Sequence, residues 1–143
     1  MKTGIFPMTS EHIQRVTVLA DQLGYPGNAE DIQKRLGWLQ TLPDHGLFVY
    51  VQENDVKGWV HLEVVYDLIE KTMTEIKAIV VDEDARGLGV GHALIEHAKN
   101  WTRERGLDAV YLSCNIVRDR THKFYKREGF YISKTSHFFT ADL

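Results

Sequence analysis

The chain has 143 residues, 43% of them apolar and 26% charged, which is ordinary for a globular protein able to bury a substantial core. With 17 basic and 20 acidic residues the formal net charge is −3, so no broad positive footprint points to nucleic acid as a partner. One cysteine, Cys114, excludes an internal disulfide and a cysteine-based metal site, and no apolar run is long enough to span a membrane. The expectation is a soluble, cytoplasmic protein with a single domain over residues 1–143. None of its seven histidines is paired at the helical spacing of a metal site.

In chain order, Lys2 to Phe6 reads as a short strand ended by Pro7. Thr9 or Ser10 then offers a capping oxygen to a helix with Ile13, Val16, Val18, Leu19 and Leu23 on its apolar face, and Gly24 stops it. Pro26-Gly27 makes a turn. Asn28 caps a second helix, with Glu30 and Asp31 in its first turn and Ile32, Leu36, Leu39 and Leu42 on its apolar side. After the break at Pro43 to Gly46, Leu47 to Glu53 and Val56 to Tyr66 read as an antiparallel hairpin turning at Asn54-Asp55.

Asp67 to Lys71 reads as a loop, and Glu75 to Val81 as a central strand rich in apolar and β-branched residues. His92 to Arg105 carries Leu94, Ile95, Ala98, Trp101 and Thr102 at helical spacing and ends at Gly106. Ala109 to Cys114 is a further strand, Val117 to Glu128 a helix stopped by Gly129, and Phe130 to Leu143 holds the last one or two strands. Trp38, Trp59 and Trp101 are expected in the core or partly buried. The element order predicts an α/β (α+β) domain: a mixed, mostly antiparallel sheet flanked by about four helices.

Between the central strand and its helix lies Arg86-Gly87-Leu88-Gly89-Val90-Gly91. Glycines at every second position leave the main chain uncovered where a helix begins, and a helix start offers unpaired N–H groups and partial positive charge to an anion. The dinucleotide fingerprint fails because its third glycine would fall on His92, and the nucleoside-triphosphate loop fails because no Gly-Lys pair occurs. Arg86-x-x-Gly89-x-Gly91 resembles the pyrophosphate-binding signature of the GCN5-related N-acetyltransferases (GNAT). A second motif agrees: Ser113-x-Asn115, then His122-Lys123-Phe124-Tyr125-x-x-x-Gly129-Phe130, is similar to the distal motif of that family. Thr121 and Glu83 depart from the family pattern, where alanine and proline are common. The resemblance covers Glu75 to Phe130 in motifs and the N-terminal third in element order alone.

The resemblance implies an acyl-CoA N-acyltransferase fold and acetyl-CoA as acetyl donor. It implies a strand bulge near Ile79 that splays the central strand from its neighbour, with the pantetheine arm on main-chain groups of Ile79, Val80 and Val81. The pyrophosphate would take N–H groups from Gly87, Leu88, Gly89, Val90, Gly91 and the first helical turn at His92; Arg86 touches phosphate or braces the loop. Asn115 would hydrogen-bond the cofactor or a water, or else cap the following helix. A primary amine of pKa ~10.4 is almost wholly protonated near pH 7, and removing its proton corresponds to roughly 4–5 kcal/mol. Glu75 stands where many relatives carry the carboxylate base for that step, although a strand glutamate paired with a lysine is the plain alternative. Tyr125, by the same resemblance, would protonate the departing thiolate, or else simply pack.

The implied reaction is acetyl transfer to a primary amine of a small molecule. The acceptor would lie around Tyr25, Asp44-His45, Tyr66, Asp67 and Glu70, whose acids suit a cationic amine or are plain surface charges. The closing stretch is similar to aminoalkylphosphonate and small aminoglycoside acetyltransferases, a likeness that rests mostly on cofactor-binding residues. The alternatives are an acyl-CoA-binding regulatory or sensor module without turnover, and a protein or peptide N-acetyltransferase. Phe138-Phe139 is a candidate homodimer contact.

Overall fold

A computed structural model describes residues 2–114 and 119–143 of the chain. They fall into two compact units, Met1–Ser113 and Cys114–Leu143. The first holds a five-stranded sheet of β1 (Gly4–Pro7), β2 (His45–Gln52), β3 (Asp55–Val65), β4 (Met73–Val81) and β5 (Val110–Tyr111), in that spatial order. Neighbours are antiparallel except β5, which runs parallel to β4. Helices α1 (Ile13–Gln22), α2 (Ala29–Leu39) and α3 (Val90–Glu104) belong to this unit, and α4 (Asp119–Arg127) to the second. Among the described residues no helix is long and apolar enough to cross a membrane.

Local chemistry sets the elements. Asn28 accepts the Asp31 N–H at 2.8 Å and starts α2 as expected. Thr9 caps a 3-10 turn, Ser10–His12, whose His12 ring accepts the Thr9 N–H at 2.9 Å before α1 begins. The β2–β3 hairpin turns at Glu53-Asn54, one residue earlier than expected, because Asp55 already pairs with Gln52. Both turn residues have positive φ, 51° and 67°, the two-residue turn whose twist matches that of the strands.

The sheet is covered on both faces. One face carries Val49, Val51, Val56 and Val80 against Ile13, Val16 and Leu19 of α1 and Leu36 of α2. On the other, α3 seats Val90 and Leu94 over Gly58, and Trp101 over Gly46. The Thr102 hydroxyl, fully buried, meets that of Thr74 at 2.8 Å and so joins α3 to β4. Val18 and Trp38 are exposed, against expectation, Trp38 to 66%. Each lies two residues, about 200° of helix, from the core-facing Val16 or Leu36. Leu42, also exposed, falls beyond the end of α2.

Two further expectations fail. β5 spans two residues rather than Ala109 to Cys114. Phe130 to Leu143 carries no strand: residues 131–143 are all exposed, and among the described residues the segment enters no ladder. Strand-like composition makes no strand unless a partner takes up its N–H and C=O groups. α4 begins at Asp119, and Gly129 follows its end as expected. The start expected at Val117, and the expected site residue Asn115, lie outside the described residues.

Candidate active site

The site is built along β4. At its C-terminal end Asp82 caps a 3-10 turn, Glu83–Ala85, by accepting the Asp84 N–H at 3.1 Å. Arg15 of α1 donates to the other Asp82 oxygen at 2.8 Å, and Gln22 accepts the Glu83 N–H at 3.1 Å. Burial pushes the Asp82 carboxyl up, but the Asp84 N–H, Arg15 and Gln22 outweigh it and hold the group below the usual carboxylate range. The glycine loop is thereby fixed at its base to α1.

Gly87 and Gly89 have φ of 81° and 86°, a left-handed conformation that side chains rarely adopt. Gly89 is the N-cap of α3 and brings no side-chain cap. The helix starts at Val90, two residues before the expected His92, so Gly91 and His92 sit inside its first turn. Such a turn directs N–H groups without intrahelical partners out of the helix, here from Val90 and Gly91, together with the positive end of a 15-residue dipole. Arg86, Gly87, Leu88, Gly89 and His92 are exposed around this opening. The arrangement suits an anion such as a pyrophosphate.

Beyond Glu75, near its N-terminal end, β4 loses a partner. β5 pairs with Thr74 and Glu75 only, so from Ile76 onward β4 has no ladder partner on that side among the described residues. A bulge lies in the same place: Ala78 opposes His61 and Ile76 opposes Leu62, leaving Lys77 as the extra residue. It lies two residues before the position expected from the resemblance, Ile79. Ile79, Val80 and Val81 pair with Val60, Trp59 and Gly58 of β3. Because an antiparallel strand turns alternate N–H and C=O groups to each side, this stretch offers main-chain bonding toward the open edge.

Glu75 stands at the last paired position, its side chain 22% exposed and its residue directly opposite Glu63. Lys77 Nζ lies 3.5 Å from Oε1 of both glutamates, and the Tyr111 hydroxyl donates to Glu75 Oε1 at 3.5 Å. His45 Nε2 is 3.1 Å from Glu63 Oε2, and its Nδ1 is 2.9 Å from His61 Nε2. Burial, helped by the nearby charges of His45 and Lys77, lowers His61 to about 4, so its ring is neutral at pH 7. Burial and the Glu75 carboxylate raise Tyr111. The result is a half-buried network of carboxylates, imidazoles and one ammonium beside the open edge, able to take and hold a proton.

The sequence reading missed His61, Glu63, Lys77 and Tyr111. Polar residues at alternate positions of an otherwise apolar strand, His61-x-Glu63, were the available signal, but only the register brings them to Glu75.

Of the expected acceptor residues, Asp44, Tyr66, Asp67 and Glu70 lie toward one end of β4 and Tyr25 toward the other. The Tyr66 hydroxyl donates to Asp44 at 3.2 Å, and this bond to a carboxylate raises its pKa. Asp67 accepts the N–H groups of Ile69 and Glu70 at 2.8 and 2.9 Å, which shapes the loop. Both features lie by the Met73 end of β4. Tyr25 follows the end of α1, where Gln22 bonds Glu83 at the opposite end of that strand. Tyr125 belongs to the second unit, its ring edge-on to Phe124 and Phe130 at 5.3 and 5.8 Å.

The model of the acetyltransferase (GNAT) family matches residues 14–130. Over 89 residues the chain is 34% identical to the aminoalkylphosphonate N-acetyltransferase of Salmonella typhimurium, a match covering 62% of this chain and 56% of that one. An uncharacterized N-acetyltransferase of Methanocaldococcus jannaschii is 33% identical over 95 residues, 65% of this chain and 42% of the relative. The matched chain thus spans about half the length of these curated relatives. An aminoglycoside N-acetyltransferase solved in complex with CoA superposes with a TM-score of 0.79 at 17% identity, covering 97% and 99% of the two chains, which shows a shared fold. By its sequence motifs, its acyl-CoA N-acyltransferase fold and the extent of the family match, the chain belongs to the GNAT acetyltransferase family.

Proposed function

We propose that this protein transfers the acetyl group of acetyl-CoA directly to a primary amine of a small molecule. The observation that carries the reading is the layout of β4: a carboxylate, Glu75, beside a strand edge that has no ladder partner among the described residues, and at the other end a glycine-rich helix start whose N-cap, Gly89, brings no side chain. In this reading the helix start and loop, Arg86 to His92, hold the pyrophosphate, and Ile79 to Val81 hold the pantetheine arm through main-chain groups. Glu75, directly or through water, takes the proton of the bound ammonium. The nitrogen then attacks the thioester carbonyl, and Tyr125 returns a proton to the departing thiolate. The names of the curated relatives, aminoalkylphosphonate N-acetyltransferase among them, support a small amine as acceptor.

The test is calorimetric titration with acetyl-CoA, followed by a thiol-release screen over small primary amines. Wild type should bind saturably, and Gly89→Glu, which puts bulk and negative charge at the helix start, should not. Glu75→Gln and Tyr125→Phe should each lower kcat by about 10²–10⁴-fold, the usual worth of a positioned acid or base, while keeping acetyl-CoA binding. Unchanged kcat in both variants overturns these two roles. Binding without any acetylated product would instead favour a CoA-responsive module.

A further inference from the structure

Lys77 is the one residue of β4 that the pairing with β3 leaves over, and it stands where β4 has already parted from β5. Its side chain turns to the same face as Glu75, with Nζ 3.5 Å from Glu75 Oε1 and 3.5 Å from Glu63 Oε1. It is 40% exposed, so its amine is neither locked in the core nor lost in bulk solvent. The strand runs from Lys77 to Val81, roughly 13 Å, toward the glycine loop. A cofactor lying along the open edge with its pyrophosphate at Gly89 therefore points its thioester back toward the bulge. Lys77 Nζ, 3.5 Å from Glu75 Oε1, then sets one of the protein's own amines beside the base.

We propose that Lys77 is a self-acetylation site, modified by the same centre that acetylates external amines; the inference rests on the acetyltransferase reading given above. In the reaction Glu75 takes a proton from the Lys77 ammonium, and the freed nitrogen attacks the acetyl carbonyl. The N–C bond forms, the C–S bond breaks, and the CoA thiolate leaves and is protonated. The products are Nε-acetyl-Lys77, CoA and one proton released to solvent, with no other co-reactant. Holding nucleophile and base together makes the step effectively unimolecular, the source of its advantage over acetylation from solution. The acetylated side chain carries no charge and no longer bridges Glu63 and Glu75.

The full-length protein is incubated with acetyl-CoA in the absence of any amine, and acetylation is followed by intact mass and by peptide mapping. Simple reactivity would favour Lys71, whose side chain is 61% exposed against 40% for Lys77. The proposal requires Lys77 to be modified at least about tenfold faster than Lys71. The rate should saturate with acetyl-CoA and stay independent of protein concentration. Lys77→Arg should remove the added acetyl mass, and Glu75→Gln should reduce Lys77 to the rate of Lys71. Equal rates at Lys77 and Lys71, or a Lys77 rate proportional to protein concentration, overturn it. If wild type acetylates external amines while Lys77 stays bare, this inference alone fails. If wild type neither binds acetyl-CoA nor acetylates any amine, the acetyltransferase reading fails with it.

Discussion

Gly58 on β3 is the seat of the helix whose start forms the proposed anion site, and replacing it with alanine tests the connection between packing and binding. A Cβ at this position would lie 2.9 Å from the Val80 carbonyl oxygen, 2.9 Å from Val90 Cγ1 and 3.1 Å from Leu94 Cδ1. Carbon atoms in contact prefer about 3.5–4.0 Å, so the helix must retreat by several tenths of an ångström. The Val80 oxygen belongs to the neighbouring strand, and Val90 is a β-branched side chain in the first turn of α3, so neither swings aside cheaply. Overpacking of this kind costs about 1–3 kcal/mol, and the entropy that alanine removes from the unfolded chain returns about 0.4–1 kcal/mol. The net loss is about 1–2 kcal/mol, or a fall in Tm of roughly 3–10 °C for a chain of this size.

The same retreat moves the N–H groups of Val90 and Gly91. A hydrogen bond to a charged group contributes about 1.5–3 kcal/mol, so the loss of one raises the Kd for acetyl-CoA at least about tenfold. Thermal unfolding and calorimetry measure the two effects separately. Gly37→Ala is the control: its Cβ meets nothing within 4 Å, and the helix gains about 0.5–1 kcal/mol. A Gly58→Ala variant with Tm and Kd unchanged would refute the assigned seat of α3.

Two more outcomes follow from buried polar groups. Thr102→Val leaves the Thr74 hydroxyl, 0% exposed, without its partner, at a cost of about 1–3 kcal/mol, whereas Thr74→Val with Thr102→Val together should cost less than the sum of the singles. A double-mutant cycle by urea unfolding checks this, and additive effects would count against the hydroxyl pair. His61 is lowered from 6.5 to about 4 in the fold, so between those values the unfolded chain takes up a proton that the native state refuses. Stability is therefore lost as pH falls from about 6.5 toward 4. Urea midpoints at pH 7 and 5 should differ less in His61→Gln than in wild type; His12 and His97, also lowered by burial, supply a slope of the same sign in both proteins.

What was legible in the sequence were features that one short segment determines by itself. The glycines before α3, the Asn28 cap and the stop at Gly106 are local backbone requirements, and the structure has them within two residues of where they were expected. The candidate site is legible only in part, because half of it depends on register. Nothing local to His61 or Glu63 marks them, since a polar residue at every second strand position reads equally well as a solvent face. The strand expected near the C-terminus failed for a related reason, as Phe130, Tyr131 and Ile132 have the composition of a strand whatever partner they find or lack.

The bulge at Lys77 shows how one residue reconciles these two kinds of demand. Glu75 and Val80 are five residues apart, and in an unbroken strand an odd separation puts two side chains on opposite faces. Here both turn to the face covered by α1 and α2: Val80 packs with Ile13 and Val16, and Glu75 opposes Glu63, whose strand neighbour His45 alternates with Leu47 and Val49. The extra residue shifts the phase by one, so the first half of β4 spends this face on the polar network and the second half on the core. Thr74 and Ile76, on the opposite face, remain buried. A regular strand would have to turn either Glu75 into the packing under α3 or Val80 away from α1, and each would leave a buried charge or a cavity. The bulge lets the strand keep a carboxylate at its last position paired with β5, beside the stretch where that pairing ends, without giving up the core on either side.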